Sequence, residues 1–219
     1  MDEGVVKYRC DWTHAEPSVA ESMADLMEWR DRLHEWGLIG VYDNGIGFGN
    51  VSVRLGNSCQ FMISGTQTAH LPRMGPESYC TVTEFDLEQN FLGCRGPIPA
   101  SSESLTHAAL YLHRDDVGGI IHVHNPKLWR QLLFKIPTTR KEIPYGTPGM
   151  ALEMFRLFEE ENLGDRKILA MAGHEDGIIC FGGCLDEAGQ VLSAVMNEIG
   201  LYPRAQEGSI AAVEAESNY

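Results

Sequence analysis

The stretch Val117-Gly-Gly-Ile-Ile-His-Val-His124 decides how this sequence folds around it. Its apolar, β-branched residues alternate in the way that is typical of a β-strand. Side chains two residues apart in a strand project from the same face. His122 and His124 should therefore point the same way, so that both imidazoles could bind one metal ion. The turn signal Asn125-Pro126 follows directly, which places the pair at the end of the strand. Two partly exposed histidines at a strand end are the alternative interpretation of this pattern alone.

Two further features favour the metal site. Glu103 ends the distinctive run Ser101-Ser102-Glu103, and His174 lies just before a second strand-like run at 177–182. Three neutral imidazoles that leave one coordination position open are a common catalytic zinc arrangement. From the residues alone, Glu103 has a second interpretation, because a carboxylate at a helix start also complements the helix dipole.

Length and charge restrict the class of protein. A chain of 219 residues and 24.3 kDa fits one α/β domain over residues 1–219, with a core at about 17–204 and a mobile tail at 205–219. The formal net charge of −14 disfavours nucleic acid as a partner. No apolar stretch approaches the ~20 residues of a membrane span, and the N-terminus lacks a signal-peptide pattern. We therefore expect a cytoplasmic protein that does not bind membranes.

The six cysteines have irregular spacing and are expected to be reduced. Cys180 and Cys184, in Cys180-Phe-Gly-Gly-Cys184, could form a redox or metal pair. We favour a core cysteine in a strand followed by a cysteine at the start of a helix.

Periodicity and turn signals predict the order of the elements. The first helix is expected at 17–36, with Ser18 and Glu21 forming a capping box. Residues 84–98 are expected to be a surface connection, and Ser101 or Ser102 to cap the next helix, which runs to His113. Further strands are predicted at 51–55, 59–63, 76–83, 167–172 and 177–182, and further helices at 126–135, 149–162 and 185–200.

Two loops combine glycine with small polar residues. They are 43–50, Asp-Asn-Gly-Ile-Gly-Phe-Gly-Asn, and 64–68, Ser-Gly-Thr-Gln-Thr. Such loops let backbone N–H groups approach an anion closely, although they are also typical of ordinary turns. His70 is expected at the rim of a pocket beside the second loop. His107, one turn after Glu103, could either line that pocket or pack within its helix.

Taken in order, four segments resemble the class II aldolase/adducin family, and a fifth is a looser match. The four segments are 49–54 (Gly-Asn-Val-Ser-Val-Arg), 63–66 (Ile-Ser-Gly-Thr), 100–103 (Ala-Ser-Ser-Glu, with His107) and 121–124 (Ile-His-Val-His). The fifth is 172–177, Ala-Gly-His-Glu-Asp-Gly. Together they span nearly the whole chain. The sequence departs from the family pattern in the long loop at 44–50 and in Glu175 and Asp176, which separate His174 from Gly177.

The resemblance implies an α/β fold, a three-layer α/β/α sandwich around a mainly antiparallel central sheet. It also implies a homotetramer and a divalent metal, usually zinc. By this resemblance His122, His124 and His174 are the zinc ligands and Glu103 is the catalytic acid/base. The residues implied to bind the substrate's phosphate are Asn50, Ser64, Gly65, Ser101 and Ser102.

The function implied by the resemblance is that of a zinc-dependent aldolase-type lyase. Its substrate would be a small ketose phosphate or related sugar, cleaved through a metal-stabilised enediolate. An epimerase or dehydratase that uses the same metal-enolate chemistry is the alternative. A non-catalytic, adducin-like scaffold is the alternative from another class, and the presence of all three histidines with Glu103 argues against it.

Overall fold

A computed structural model of the chain describes residues 6–18 and 20–201. Ten strands are described: β1 (Arg9–His14), β2 (Gly40–Val41), β3 (Gly47–Phe48), β4 (Asn50–Arg54), β5 (Phe61–Ser64), β6 (Tyr79–Asp86), β7 (Phe91–Gly96), β8 (Gly119–His124), β9 (Ile168–Ala170) and β10 (Gly177–Gly182). Six α-helices accompany them in the same residues: α1 (Met23–Glu35), α2 (Ser104–His113), α3 (Pro126–Leu132), α4 (Pro148–Glu160), α5 (Leu163–Arg166) and α6 (Leu185–Glu198). The predicted tail at 205–219 lies outside the described residues.

The main sheet contains eight strands in the order β1-β7-β6-β5-β4-β8-β10-β9. Every neighbouring pair in it is antiparallel except β1 with β7, which is parallel. This confirms the predicted mainly antiparallel sheet. β2 and β3 form a separate two-stranded hairpin.

Helices cover both faces of the main sheet, as the alternation within β8 shows. Ile121 and Val123 face a core built with α1, α3 and α6, whereas Ile120 faces a core built with α2 and α4. His122 is therefore on the α2 side by the period of two. The three-layer α/β/α architecture is confirmed, and it buries the strand that carries the two histidines.

The first helix begins later than predicted. α1 starts at Met23, and Ser22 precedes it without a side-chain capping bond. The predicted capping box is wrong, because Ser18 Oγ accepts a bond from the Ala20 N–H instead, at 3.4 Å. Local Ser-to-backbone bonds of this kind compete with helix formation. The α-helix therefore begins only at Met23.

Residues 84–98 are not merely a surface connection, because they contain the end of β6 and all of β7. β7 pairs with both β6 and β1, so it is an interior strand of the sheet. Gly93 and Gly96 lower its strand propensity, which hides it in the sequence. A register irregularity between Val82 and Glu84 lets Glu84 lie over Gly93.

The helix after Ser101 also starts later than expected, with Glu103 as the residue that precedes α2.

All six cysteines are free thiols; Cys180 lies in β10 and Cys184 precedes α6, as our favoured interpretation predicts. Among the described helices, none has the length and apolar character needed to cross a membrane.

Candidate metal centre

Three imidazoles converge where β8 and the turn before β10 meet. His124 Nε2 lies 3.0 Å from His122 Nε2 and 2.9 Å from His174 Nε2. One ligand atom from each ring can be chosen so that all three lie within 4.8 Å of one another. The structure thus brings together the three histidines that the sequence singled out, in spite of the 50 residues between His124 and His174.

All three rings are neutral at physiological pH. Burial lowers the pKa of His122 to about 4, partly opposed by its bond to the Ile178 carbonyl. Burial also holds the pKa of His124 and of His174 well below the ordinary value, and the neighbouring histidines add to the effect. A neutral imidazole offers the lone pair that a metal requires, so burial prepares the cluster for coordination.

Glu103 faces this cluster from the start of α2. Its Oε1 lies 3.2 Å from His174 Nε2 and 3.6 Å from His122 Nε2, and the residue is only 5% exposed. The layered fold explains the approach, because α2 packs on the face of the sheet from which His122 projects. The carboxylate therefore lies beside the position that the three ring nitrogens share.

The strands around the histidines need glycine at two positions. A Cβ on Gly177 would lie 2.7 Å from His174 Cδ2 and 3.2 Å from His122 Cε1. Gly49 has φ +80°, and a Cβ there would lie 2.8 Å from Ile39 Cγ1 and 3.1 Å from the His122 carbonyl oxygen. Gly177 in β10 and Gly49 directly before β4 thus let the backbone on both sides of β8 pass close to His122.

The hydrogen bonds on the outer sides of the rings are consistent with a bound cation. His122 Nδ1–H donates to the Ile178 carbonyl at 3.1 Å, which leaves a lone pair on Nε2 of the neutral ring. His124 Nδ1 lies 2.8 Å from the Tyr42 hydroxyl on the opposite side of its ring from Nε2. Lone pairs that converge repel one another unless a proton or cation lies between them, so the cluster could hold one divalent metal.

A cavity of about 500 Å³ opens beside the cluster, with His124, His174 and Glu103 in its lining. Four of the five residues expected to bind phosphate line it: Asn50, Gly65, Ser101 and Ser102. Ser64 does not; its Oγ accepts a bond from the Val51 N–H at 3.3 Å between β4 and β5. His70 lies in the lining, as expected. None of the described residues that line the cavity is Lys or Arg.

The comparisons with known proteins agree with this geometry. The model of the Class II Aldolase and Adducin N-terminal domain matches residues 26–199. The chain belongs to the class II aldolase/adducin family. Among curated proteins, no sequence match was found.

Solved structures share the fold of this family member at low sequence identity. L-fuculose 1-phosphate aldolase is 16% identical, with a TM-score of 0.59 over 85% of this chain and 91% of that protein. YgbL from Klebsiella pneumoniae is 18% identical, with a TM-score of 0.60 over 84% and 90%. A sugar-phosphate aldolase from Thermotoga maritima is 15% identical, with a TM-score of 0.57 over 84% and 97%.

Arg30 was not singled out from the sequence, yet it supports the loop at 65–70 in the wall of the cavity. The guanidinium is 1% exposed, and its Nη2 donates to the carbonyls of Thr68 and Ala69 at 3.1 and 3.3 Å. Thr68 Oγ1 also donates to the Gly65 carbonyl at 2.8 Å. Arg30 thereby fixes the loop that forms one wall. Nothing in the sequence pattern of α1 distinguishes it from a surface arginine.

Tyr42 was missed as well, because the loop at 43–50 pointed only to a phosphate pocket. The hairpin β2–β3 that contains this loop forms another wall of the cavity.

His107, by contrast, packs within the fold: its Nδ1 lies 2.7 Å from Ser52 Oγ, and it is fully buried.

Tyr145 lies on the outer side of the cluster. Its ring centroid is 4.4 Å from that of His174 in an edge-on arrangement, and the Lys7 Nζ lies 3.9 Å above the tyrosine ring. The lysine contributes to the lowered pKa of His174. The sequence did not assign a role to either residue.

Proposed function

We propose that this chain is a zinc-dependent aldolase-type lyase that acts on a small ketose phosphate or related sugar. The observation that carries the proposal is the convergence of three neutral imidazole nitrogens with the Glu103 carboxylate at the edge of a cavity. The family membership supports the reaction type. The low-identity structures support the fold alone.

We propose His122, His124 and His174 as the metal ligands. Three nitrogen ligands that leave a position open are typical of catalytic zinc sites. When bound, the metal would supply Lewis acidity to substrate oxygens and stabilise negative charge that develops on them. The bond from His122 to the Ile178 carbonyl holds the ring in the required orientation and tautomer.

We propose Glu103 as the acid/base. Its carboxylate is buried and lies within 3.6 Å of two ligand nitrogens, so it can reach a proton on a substrate that enters the cavity. In the cleavage direction it would accept the proton of the substrate hydroxyl as the carbon–carbon bond breaks, and would deliver that proton to the carbon that keeps the electron pair, which gives the ketone. In the condensation direction it would remove the proton from that carbon and return it to the oxygen of the new hydroxyl.

The lining of the cavity supports a phosphate held without cationic side chains. The hydroxyls of Ser101 and Ser102 and the side-chain amide of Asn50 would bind its oxygens beside Gly65. The N–H groups of Gly65 and Thr66 already donate to the carbonyls of Ser78 and Pro99, at 2.8 and 2.9 Å, so they are not the donors in this proposal. The N-terminal end of α2 is close to the two serines and adds a positive partial charge. Ser64 would contribute indirectly, through the backbone of β4 that its hydroxyl holds.

From the family we also propose a cytoplasmic homotetramer. One groove outside the metal centre is lined by the exposed side chains of Leu112 and Leu152 together with Phe155. Exposed apolar surface of this kind is typical of an interface between subunits. Light scattering on the purified protein measures the number of subunits directly.

Product analysis tests the reaction. The zinc-loaded protein is incubated with a panel of ketose phosphates and their unphosphorylated sugars, beside Glu103→Gln. We expect cleavage to an aldehyde and a three-carbon ketone, and loss of about 10²-fold or more in the variant with zinc retained. Epimerised or dehydrated products would replace the lyase assignment with the alternative chemistry. No turnover of any sugar by zinc-loaded protein would contradict the proposal.

A further inference from the structure

The hairpin β2–β3 reaches from the cavity wall to a metal ligand. Tyr42, which follows β2, places its hydroxyl 2.8 Å from His124 Nδ1. Phe48, at the end of β3, lies over the same histidine with a ring-centroid separation of 5.5 Å. The two aromatic rings also pack on each other, 4.4 Å apart. One hairpin therefore makes both a polar and an apolar contact with a single imidazole.

The turn of the hairpin fixes the position of the tyrosine. The Tyr42 N–H donates to the Ile46 carbonyl at 2.9 Å, and the Gly45 N–H donates to the Tyr42 carbonyl at 2.8 Å. Gly45 has φ +83°, which only glycine adopts without strain. Asn44 Oδ1 accepts a further bond from the Ile46 N–H at 3.1 Å. The glycine-dense sequence is thus what allows so tight a turn to present the hydroxyl.

The role of the Tyr42 hydroxyl follows from which nitrogen of His124 carries the proton. If His124 binds the metal through Nε2, the neutral ring carries its proton on Nδ1, and the tyrosine oxygen accepts that N–H. His122 has the same arrangement with the Ile178 carbonyl as acceptor. A protein partner on the outer nitrogen orients the ring and raises the basicity of the ligating nitrogen.

We propose that Tyr42 is a positioning residue of the metal centre, which holds His124 in the tautomer and orientation that bind the metal. The inference rests on the proposed function, since it takes the histidine cluster as the metal site. It goes beyond that function by assigning part of the metal affinity to the hairpin that also forms the cavity wall. A displacement of that wall would then change the orientation of His124.

Zinc affinity of Tyr42→Phe, measured by competition with a chelator of known affinity, tests the proposal. The variant keeps the ring that packs on Phe48 and loses only the hydroxyl. We expect zinc to bind about 10-fold more weakly and to dissociate faster, as is typical when a partner of a ligating histidine is removed. The visible absorption of the cobalt-substituted protein should also shift, because the ligand field at His124 changes.

Tyr111→Phe is the matched control. It removes a buried tyrosine hydroxyl, 2.8 Å from Ser52 Oγ, that makes no contact with the three histidines. We expect it to lower the melting temperature of the zinc-free protein and to leave zinc affinity and the cobalt spectrum unchanged.

Unchanged zinc affinity and cobalt spectrum in Tyr42→Phe, with zinc bound by the wild type, would overturn this inference and leave the proposed function intact. Failure of the wild type to bind zinc would overturn both. An equal loss of zinc affinity in Tyr111→Phe would also overturn the inference, because the effect would then follow from general destabilisation.

Discussion

Gly177 and His174 are in such close contact that the histidine ring occupies the space of a side chain at position 177. A Cβ there would lie 2.7 Å from His174 Cδ2, and His122 Cε1 would be 3.2 Å away on the other side. Glu175 and Asp176 separate the two residues, and Asp176 adopts φ +65° to close the turn. The close packing of the histidine cluster thus requires glycine at position 177.

Gly177→Ala should weaken zinc binding by displacing His174, or both rings, from the shared position. We expect about 10-fold lower zinc affinity and a loss of about 1–3 kcal/mol in the free energy of unfolding, from overpacking. Chelator competition and urea denaturation measure the two effects. Gly164→Ala, where the nearest atom is the flexible guanidinium of Arg114 at 3.1 Å, is the control. Wild-type affinity in Gly177→Ala would contradict the requirement.

Arg30→Met should alter the cavity without altering the metal. The change leaves the carbonyls of Thr68 and Ala69 without their buried donor, at a cost of about 2–3 kcal/mol in the free energy of unfolding. Because the loop at 65–70 then loses its support, KM should rise more than kcat falls, while the zinc content stays at the wild-type level. Steady-state kinetics and metal analysis measure these quantities.

The control for this change is Arg32→Met, two residues along α1. Arg32 is partly exposed, pairs with Glu28 and lies over the Trp29 ring, 4.6 Å from its centroid, on the helix surface. Its replacement should change the free energy of unfolding by less than about 1 kcal/mol and leave KM unaltered. Equal effects of the two substitutions would refute the role assigned to Arg30.

The buried His107 should make the zinc-free protein sensitive to acid. Burial, with a contribution from His122, lowers the pKa of His107 well below its ordinary value. The unfolded chain then binds the proton more readily than the native state. The contribution of neutral His107 to the free energy of unfolding is therefore complete above the unfolded pKa of about 6.5, and it is lost as the pH falls below that value.

We expect the free energy of unfolding of zinc-free protein to fall between about pH 7.5 and 5.5, and to fall less steeply in His107→Leu, by up to about 1.4 kcal/mol per pH unit. Denaturation by urea at each pH provides the values. The leucine fills the buried site, and Ser52 keeps its bond to the Tyr111 hydroxyl. Parallel pH dependence in the two proteins would show that His107 does not carry the effect.

The sequence predicted the parts of this protein that depend on local periodicity. β8 and β10 are apolar runs, so the position of β10, the end of β8 at His124 and the shared face of His122 and His124 could be read directly from the sequence. α4 and α6 were predicted within two residues at each end for the same reason. Glu103 could be singled out because serines precede it at a helix start.

What the sequence did not reveal depends on contacts between distant residues. β7 contains two glycines and becomes a strand only because β6 and β1 pair with it on both sides. Arg30 resembles any helix-surface arginine until the loop at 65–70 folds over it. Tyr42 and His124 are 82 residues apart in the chain. The local sequence specifies the turn of the hairpin that carries Tyr42, but it does not specify that the hairpin packs against His124.

The metal content of the purified protein, measured by elemental mass spectrometry with wild type beside His122→Ala, is the direct test of the proposed metal centre. We expect about one zinc, or another divalent metal, per chain in the wild type, and its loss in the variant. A wild-type protein that contains no metal and retains none after incubation with zinc would contradict the proposed metal centre and the lyase chemistry built on it.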